Sequence, residues 1–174
     1  MEVTRLPSAV LIPIFYQNGQ HHILFTRRSE LVKYHKGEIS FPGGGYHKDD
    51  GQLVNTALRE TFEEIGLPAT DVEVVGELDD VPTRNSNYII TPFVGFFQHG
   101  RKFKVSDFEI TELIEIPIEG LLAEGCRRDE TEIDLNNKVI PAYVYAYNGK
   151  LITGATARIL KQFLGIFKQI TKRA

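Results

Sequence analysis

The sequence predicts an α/β fold, on three observations. Ala9–Tyr16 and His22–Thr26 are apolar runs of strand formers joined through Asn18-Gly19, a pair that marks a hairpin turn. Val54, Leu58, Phe62 and Ile65 recur at helical spacing just before Gly66 and Pro68. Thr153–Lys172 carries Ile159, Leu160, Phe163, Ile166, Phe167 and Ile170 in a second amphipathic pattern expected to pack across a sheet. The 174 residues read as one domain over 1–174, without repeats, linker or low-complexity tract.

In chain order, the hairpin comes first, with Pro13 expected at a sheet edge or bulge because it lacks an amide donor. Leu24–Gly44 continues as a strand end and a turn-rich basic loop holding Arg27, Arg28, Lys33, His35 and Lys36. Five cationic or potentially cationic side chains there can hold anionic groups of a substrate.

The chemistry is concentrated in Ser40–Leu67. Pro42, Gly43, Gly44 and Gly45 form a glycine-rich turn, an acidic loop follows, and a helix carries Arg59, Glu60, Glu63 and Glu64. Helical residues advance by about 100° each, so Glu60, Glu63 and Glu64 share one face. Val54, Leu58, Phe62 and Ile65 then face a sheet from the other side. Like-charged neighbours cost about 0.2–0.5 kcal/mol per pair. Arg59, four residues before Glu63, offsets part of that, and a hard divalent cation offsets far more. Gly66 supplies the left-handed residue that ends the helix, and Pro68 prevents its resumption.

Beyond the helix, Asp71–Leu78 and Tyr88–Phe97 read as strands, linked by the polar loop Asp79–Asn87 in which Arg84 can reach a phosphate. His99–Lys104 reads as a basic hairpin turn. Asp107–Ile116 offers Glu109, Glu112 and Glu115, Gly125–Val139 a strand pair or irregular loop, and Ala142–Tyr147 a further strand.

Composition excludes several classes. A net charge of −3, with no basic stripe or stacking platform, gives no attraction to nucleic acid. No apolar run approaches the roughly 20 residues of a membrane helix, and the N-terminal stretch lacks the marks of a signal peptide. A single cysteine, Cys126, excludes an internal disulfide and suits a reducing cytoplasm; as a small buried hydrophobe it needs no catalytic role. A P-loop and an EF-hand are absent by motif.

Gly44, Asp50 and Arg59-Glu60-Thr61-Phe62-Glu63-Glu64-Ile65-Gly66-Leu67 together resemble the Nudix box. Asp50 stands where glutamate is usual, one extra residue precedes Arg59, and Thr61 replaces an aliphatic residue. Thr26, Arg28, Ser29, His35, Gly37, Ile39, Ser40, Phe41 and Pro42 are similar to the second signature of the coenzyme A pyrophosphatase branch, with Lys33 where arginine is usual and Glu38 where glutamine is common. The Asp79–Phe97 region, with Asn87 in place of glycine, looks like the same branch. So does Ile152–Leu160, where Thr153 replaces tryptophan, and the resemblance runs from about Ala9 to Leu164.

The resemblance implies the Nudix α/β/α sandwich, a mixed central sheet between the box helix and the C-terminal helix. It implies Mg²⁺ or Mn²⁺ held by Glu60 and Glu64 as principal ligands, with Glu63 as a further ligand or the general base and the Gly44 carbonyl as an added donor. Arg59 is expected to orient Glu63, while Arg28, Lys33, His35 and Arg84 face substrate phosphates. One more glutamate is expected to assist, Glu112 first and Glu109 second. The implied substrate is a small nucleotide, coenzyme A or a derivative, split into 3′,5′-ADP and 4′-phosphopantetheine. Pro82, fifteen residues past Leu67, matches instead a proline associated with ADP-ribose hydrolases. Nucleoside-diphosphate sugars and nucleoside polyphosphates are further rivals with the same chemistry. A non-catalytic nucleotide-binding module is a rival of another class, opposed by the repulsion that Glu60, Glu63 and Glu64 would bear to no purpose. Assembly is open between a monomer and a homodimer.

Overall fold

The computed structural model describes residues 4–31, 36–84, 86–100, 102–133 and 137–172. Its first hairpin joins β1 (Leu6–Gln17) to β2 (Gln20–Arg28). Asn18 and Gly19 both take positive φ, 51° and 82°, as the tight turn between right-twisted strands requires. The short strands β3 (Ile39–Ser40) and β4 (Gly43–Gly45) follow, then a helical turn at Lys48–Asp50 and the helix α1 (Leu53–Ile65).

The chain continues through β5 (Glu73–Glu77), β6 (Val81–Pro82) and β7 (Tyr88–Phe96). After these come β8 (Ile110–Pro117) and the short helix α2 (Ile118–Leu122). A ribbon of β9 (Arg127–Ile133), β10 (Val139–Tyr147) and β11 (Lys150–Ile152) leads to α3 (Gly154–Thr171).

Among the described residues, eight strands form one mixed sheet along the path β3-β2-β1-β7-β5, with β4 on β1, β6 on β7 and β8 on β2. The β1–β7 pair is parallel and the other pairs are antiparallel. Pro13 is therefore central instead of at an edge. It falls between the β4 register, Ser8–Val10, and the β2 register, Ile14–Gln17, where β1 changes partner and no ladder amide is needed.

Two apolar clusters pack against the α1 side, one built on Ala9, Leu11, Ala57 and Phe93, the other on Phe15, Leu24, Ile65 and Leu67. The largest cluster joins β1, β2 and β8 to Tyr145, Ile152, Ala157, Leu160 and Phe163 beneath α3. The sandwich is as expected, but β9–β11 form a separate three-stranded sheet under α3, where the sequence predicts only a strand pair or irregular loop and one further strand.

Both helices keep most of their expected face, with Val54, Leu58 and Ile65 of α1 and Ile159, Leu160, Phe163 and Phe167 of α3 packed in the core clusters, but each departs from it in part. In α1 the buried residues are Thr56, Ala57, Thr61, Glu64 and Ile65, while Phe62 is 55% exposed. In α3 the buried set is Ala157, Ile159, Leu160, Phe163 and Leu164, with Ile166 and Ile170 in solvent. A hydropathy pattern ranks Thr61 and Glu64 as surface residues. Contacts overrule it here, since the Thr61 hydroxyl donates to the Ala57 carbonyl at 2.7 Å and is sealed without cost. The strands on either side of the expected His99–Lys104 turn, β7 and β8, lie on different neighbours, so they form no hairpin. Lys104 and Ser106 instead cap α1: the Lys104 amide donates to the Ile65 carbonyl at 3.1 Å and the Ser106 amide to the Glu64 carbonyl at 2.9 Å. Gly66 takes φ 71°, as anticipated, and its amide reaches Phe62.

Candidate functional site

The glycine turn lies directly on α1. Strand β4 pairs Gly44 with Ala9 and Gly45 with Ser8, which holds the turn flat against β1. A side chain at Gly44 would begin 2.5 Å from the Glu60 carboxylate, so only glycine leaves the main chain this close. Gly43 has φ +155° and any side chain there would meet the Ala9 carbonyl at 2.3 Å.

Arg59 organises the helix start. Its Nε and Nη2 donate to Asp50 Oδ1 and Oδ2 at 2.8 and 3.1 Å. Nη2 also donates to the Gly45 carbonyl at 3.1 Å, and Nη1 donates to Glu60 at 2.9 Å and Glu63 at 3.1 Å. Asp50 further accepts from the His47 amide at 2.9 Å and Thr56 Oγ1 at 2.7 Å. The Arg59 guanidinium holds this carboxyl far below the usual carboxylate range, against the opposing effect of burial. Arg59 thus reaches Glu63, the residue it was expected to orient, and holds Asp50 and Glu60 as well. Its fork grips Asp50, and Glu63, with half its side chain in solvent, is the weaker contact.

Glu64 is the unusual group. It is 3% exposed, and its Oε2 has no hydrogen-bond partner. Burial, opposed by Arg28 and reinforced by Glu109 and Glu60, pushes its carboxyl up to about 8. Arg28 Nη1 stands 3.9 Å from Glu64 Oε1, and the Arg28 Nε is itself buried without a partner. Burial also raises Glu60, against the pull of Arg59.

Glu109 acts on both Glu60 and Glu64, and its carbonyl accepts from the Ser29 amide at 2.8 Å. Glu112, the first choice from sequence, points elsewhere. It pairs with Arg27 Nε at 2.8 Å and with Lys150, and those cations lower its pKa. The register separates the two: Glu112 sits opposite Arg27 on β2, whereas Glu109 precedes β8, three residues after the Ser106 amide that donates to the Glu64 carbonyl. Arg84 also lies apart from the acidic group, bound to Glu132 and donating to the Pro141 carbonyl at 2.6 Å. Lys33 and His35 lie outside the described residues. Asp50, expected only as a position of the box, is the residue that the Arg59 fork grips, and Glu109, the second choice from sequence, is the glutamate whose charge acts on Glu60 and Glu64.

Among the described residues, no three carboxylate, imidazole or thiol side chains already converge as a cage for an ion. Arg59 holds Glu60 and Glu63 apart from such an arrangement. The donor set nonetheless fits a hard divalent cation: all oxygen, a buried Glu64 oxygen without a partner, and a glycine cradle over Glu60.

A mixed-sheet α/β fold that seats a carboxylate-bearing helix beneath a glycine turn defines a class, the Nudix fold. A family model described as the NUDIX domain matches residues 5–124, and the chain belongs to the Nudix family. It is a Nudix hydrolase, of the class that acts on pyrophosphate bonds. It is 36% identical over 160 residues to a protein of Yersinia pseudotuberculosis described as an uncharacterized Nudix hydrolase, NudL; the match covers 91% of this chain and 78% of the relative. A MutT/nudix family protein from Enterococcus faecalis aligns over 94% of this chain and 62% of its own, with TM-score 0.64 and 15% identity. A C. elegans Ap4A hydrolase in a binary complex aligns over 66% and 81%, with TM-score 0.55 and 14% identity. These structural likenesses show the fold. No described helix is long and apolar enough to cross a membrane.

Proposed function

We propose that this chain hydrolyses the pyrophosphate bond of a nucleoside-diphosphate-linked substrate, coenzyme A or a derivative, giving 3′,5′-ADP and 4′-phosphopantetheine. The observation that carries the chemistry is Glu64, a buried carboxyl with an oxygen left over, set beside Glu60 and Glu109 under a glycine turn. Such a group is costly to keep unless a cation belongs there. The choice of substrate is supported by Thr26, Arg28, Ser29, Gly37 and Ile39–Pro42, which fall in register with the coenzyme A signature.

Glu60 and Glu64, with the Gly44 carbonyl, would hold Mg²⁺ or Mn²⁺. Bound there, the ion supplies neutralisation of phosphate oxygens and a lowered pKa for water. Glu63, half in solvent and steadied by Arg59, can accept the proton of the attacking water or add a ligand oxygen. Glu109 is the better-situated second candidate for that task. Arg28, with a buried unpartnered Nε close to Glu64, suits a phosphate oxygen on the substrate. Asp50 keeps Arg59 in place, and Arg59 keeps Glu60 and Glu63 from collapsing onto other donors.

The test is incubation with coenzyme A, ADP-ribose or UDP-glucose and Mg²⁺ or Mn²⁺, with products resolved by chromatography. Release of 3′,5′-ADP from coenzyme A is the expected outcome. Coenzyme A left intact while ADP-ribose is cleaved would overturn the substrate assignment in favour of the reading that Pro82 suggests.

A further inference from the structure

Three arginines meet around one short segment that the reaction above does not use. Arg158, in the first turns of α3, donates from Nη2 to the Pro82 carbonyl at 2.6 Å. Arg5, just before β1, donates from Nη1 to the next carbonyl, that of Thr83, at 2.8 Å. Arg84 is the residue after that. Carbonyls of consecutive residues are only a few ångströms apart, which brings the Arg158 and Arg5 guanidinium groups together, and the charge of Arg84 also acts on Arg158.

Their charges are unevenly answered. Arg84 has Glu132 and the Pro141 carbonyl. Arg158 is half-buried, its Nε is sealed from solvent without a partner, and no carboxylate among the described residues acts on it. Burial first, then Arg84, then Arg5, lowers its pKa. A desolvated guanidinium pressed by two others is the donor set that planar recognition of a phosphate uses.

The locus is tied to the acidic cluster. The Tyr88 carbonyl accepts from Arg5 Nη1 at 3.4 Å, while its ring lies 3.8 Å from where a Gly45 side chain would begin. Gly45 adjoins Gly44, which lies over Glu60. Along β1, Arg5 precedes Ala9, the partner of Gly44, by four residues, roughly 13 Å at about 3.3 Å per strand residue. A nucleotide carrying a phosphomonoester apart from its pyrophosphate spans such a gap.

We propose that Arg5, Arg84 and Arg158 form a subsite for a non-reacting phosphomonoester of the substrate, the 3′-phosphate in the case of coenzyme A. This rests on the hydrolase reading for its biological use, although the binding test stands without turnover. Calorimetry with Mg²⁺ compares 3′,5′-ADP with 5′-AMP, two nucleotides that differ only in that phosphate. The wild type should bind 3′,5′-ADP at least about ten-fold more tightly. Arg158→Gln and Arg5→Gln should each remove most of that difference while leaving 5′-AMP binding within two-fold. Arg5 is exposed, so its variant answers the question even if Arg158→Gln misfolds.

Equal binding of the two nucleotides by the wild type, or equal weakening of both in the variants, overturns the subsite. Intact coenzyme A together with a variant-sensitive preference for 3′,5′-ADP sinks the hydrolysis assignment and leaves the subsite standing. Cleavage of coenzyme A without that preference does the reverse.

Discussion

Replacing Glu64 by glutamine separates what the fold wants from what the chemistry needs. In the metal-free protein the Glu64 carboxyl is raised from 4.5 to about 8 by burial, so the folded chain binds its proton more tightly than the unfolded chain. The sign follows directly: this stabilisation is complete below pH 4.5 and is lost as pH rises through 8. At about 1.4 kcal/mol per pH unit, the loss amounts to about 3 kcal/mol at pH 7, where the folded carboxyl must keep a proton that the unfolded one gives up, and about 4–5 kcal/mol above pH 8, where it ionises in the fold. Glutamine has nearly the same shape and does not titrate. Glu64→Gln should therefore match the wild type near pH 5 and exceed it increasingly toward pH 8.5 in EDTA. A gain of about 3 kcal/mol corresponds to roughly 6–12 °C in Tm for a domain of this size. Thermal and urea unfolding at several pH values provide the assay. Added Mn²⁺ should close the gap by stabilising only the wild type, and turnover should vanish in the variant. Parallel pH profiles for the two proteins in EDTA, or equal stabilisation of both by Mn²⁺, would refute the account of Glu64.

Three further outcomes follow from the same geometry. Asp50→Asn should cost about 2–3 kcal/mol in urea unfolding, because it strips the Arg59 fork of its buried partner. The folded Asp50 carboxyl is depressed, so this gap should persist down to about pH 4 and shrink only below it; a gap already closed at pH 6 would refute the pairing. Glu109→Gln should lower kcat by about 10²-fold, while Glu112→Gln leaves kcat nearly unchanged and costs less than about 1 kcal/mol; the reversed order in steady-state kinetics restores Glu112. Gly44→Ala should push a methyl group into the Glu60 carboxylate, weakening Mn²⁺ binding and lowering kcat by about 10²-fold with the melting temperature little changed. Wild-type Mn²⁺ affinity in that variant, read by calorimetry, would count against the cradle.

The parts of the site that depend on near neighbours in sequence were legible in advance. The Glu60 and Glu64 pair, the closing Gly66 and the Asn18-Gly19 turn are all set by helix or turn geometry over a few residues. What stayed hidden depends on partners far along the chain. Whether Glu109 or Glu112 meets the acidic group is decided by the register of β8 on β2, which no local pattern encodes. Phe62 looked like core because it is large and apolar, yet Thr61 and Glu64 hold the inward face through a hydrogen bond and a charge environment that hydropathy does not measure. Arg84 looked free until β10 and Glu132, some fifty residues later, supplied its partners.

The stretch after β7 grips the main chain of Glu64 through Ser106 and, three residues on, carries Glu109 toward the same carboxyl. The spacing from Ser106 to Glu109 thus behaves as a fixed ruler. A single residue inserted inside that ruler would leave the hydrophobic layers intact and yet misalign two acidic groups at once, giving a protein that melts normally and turns over nothing.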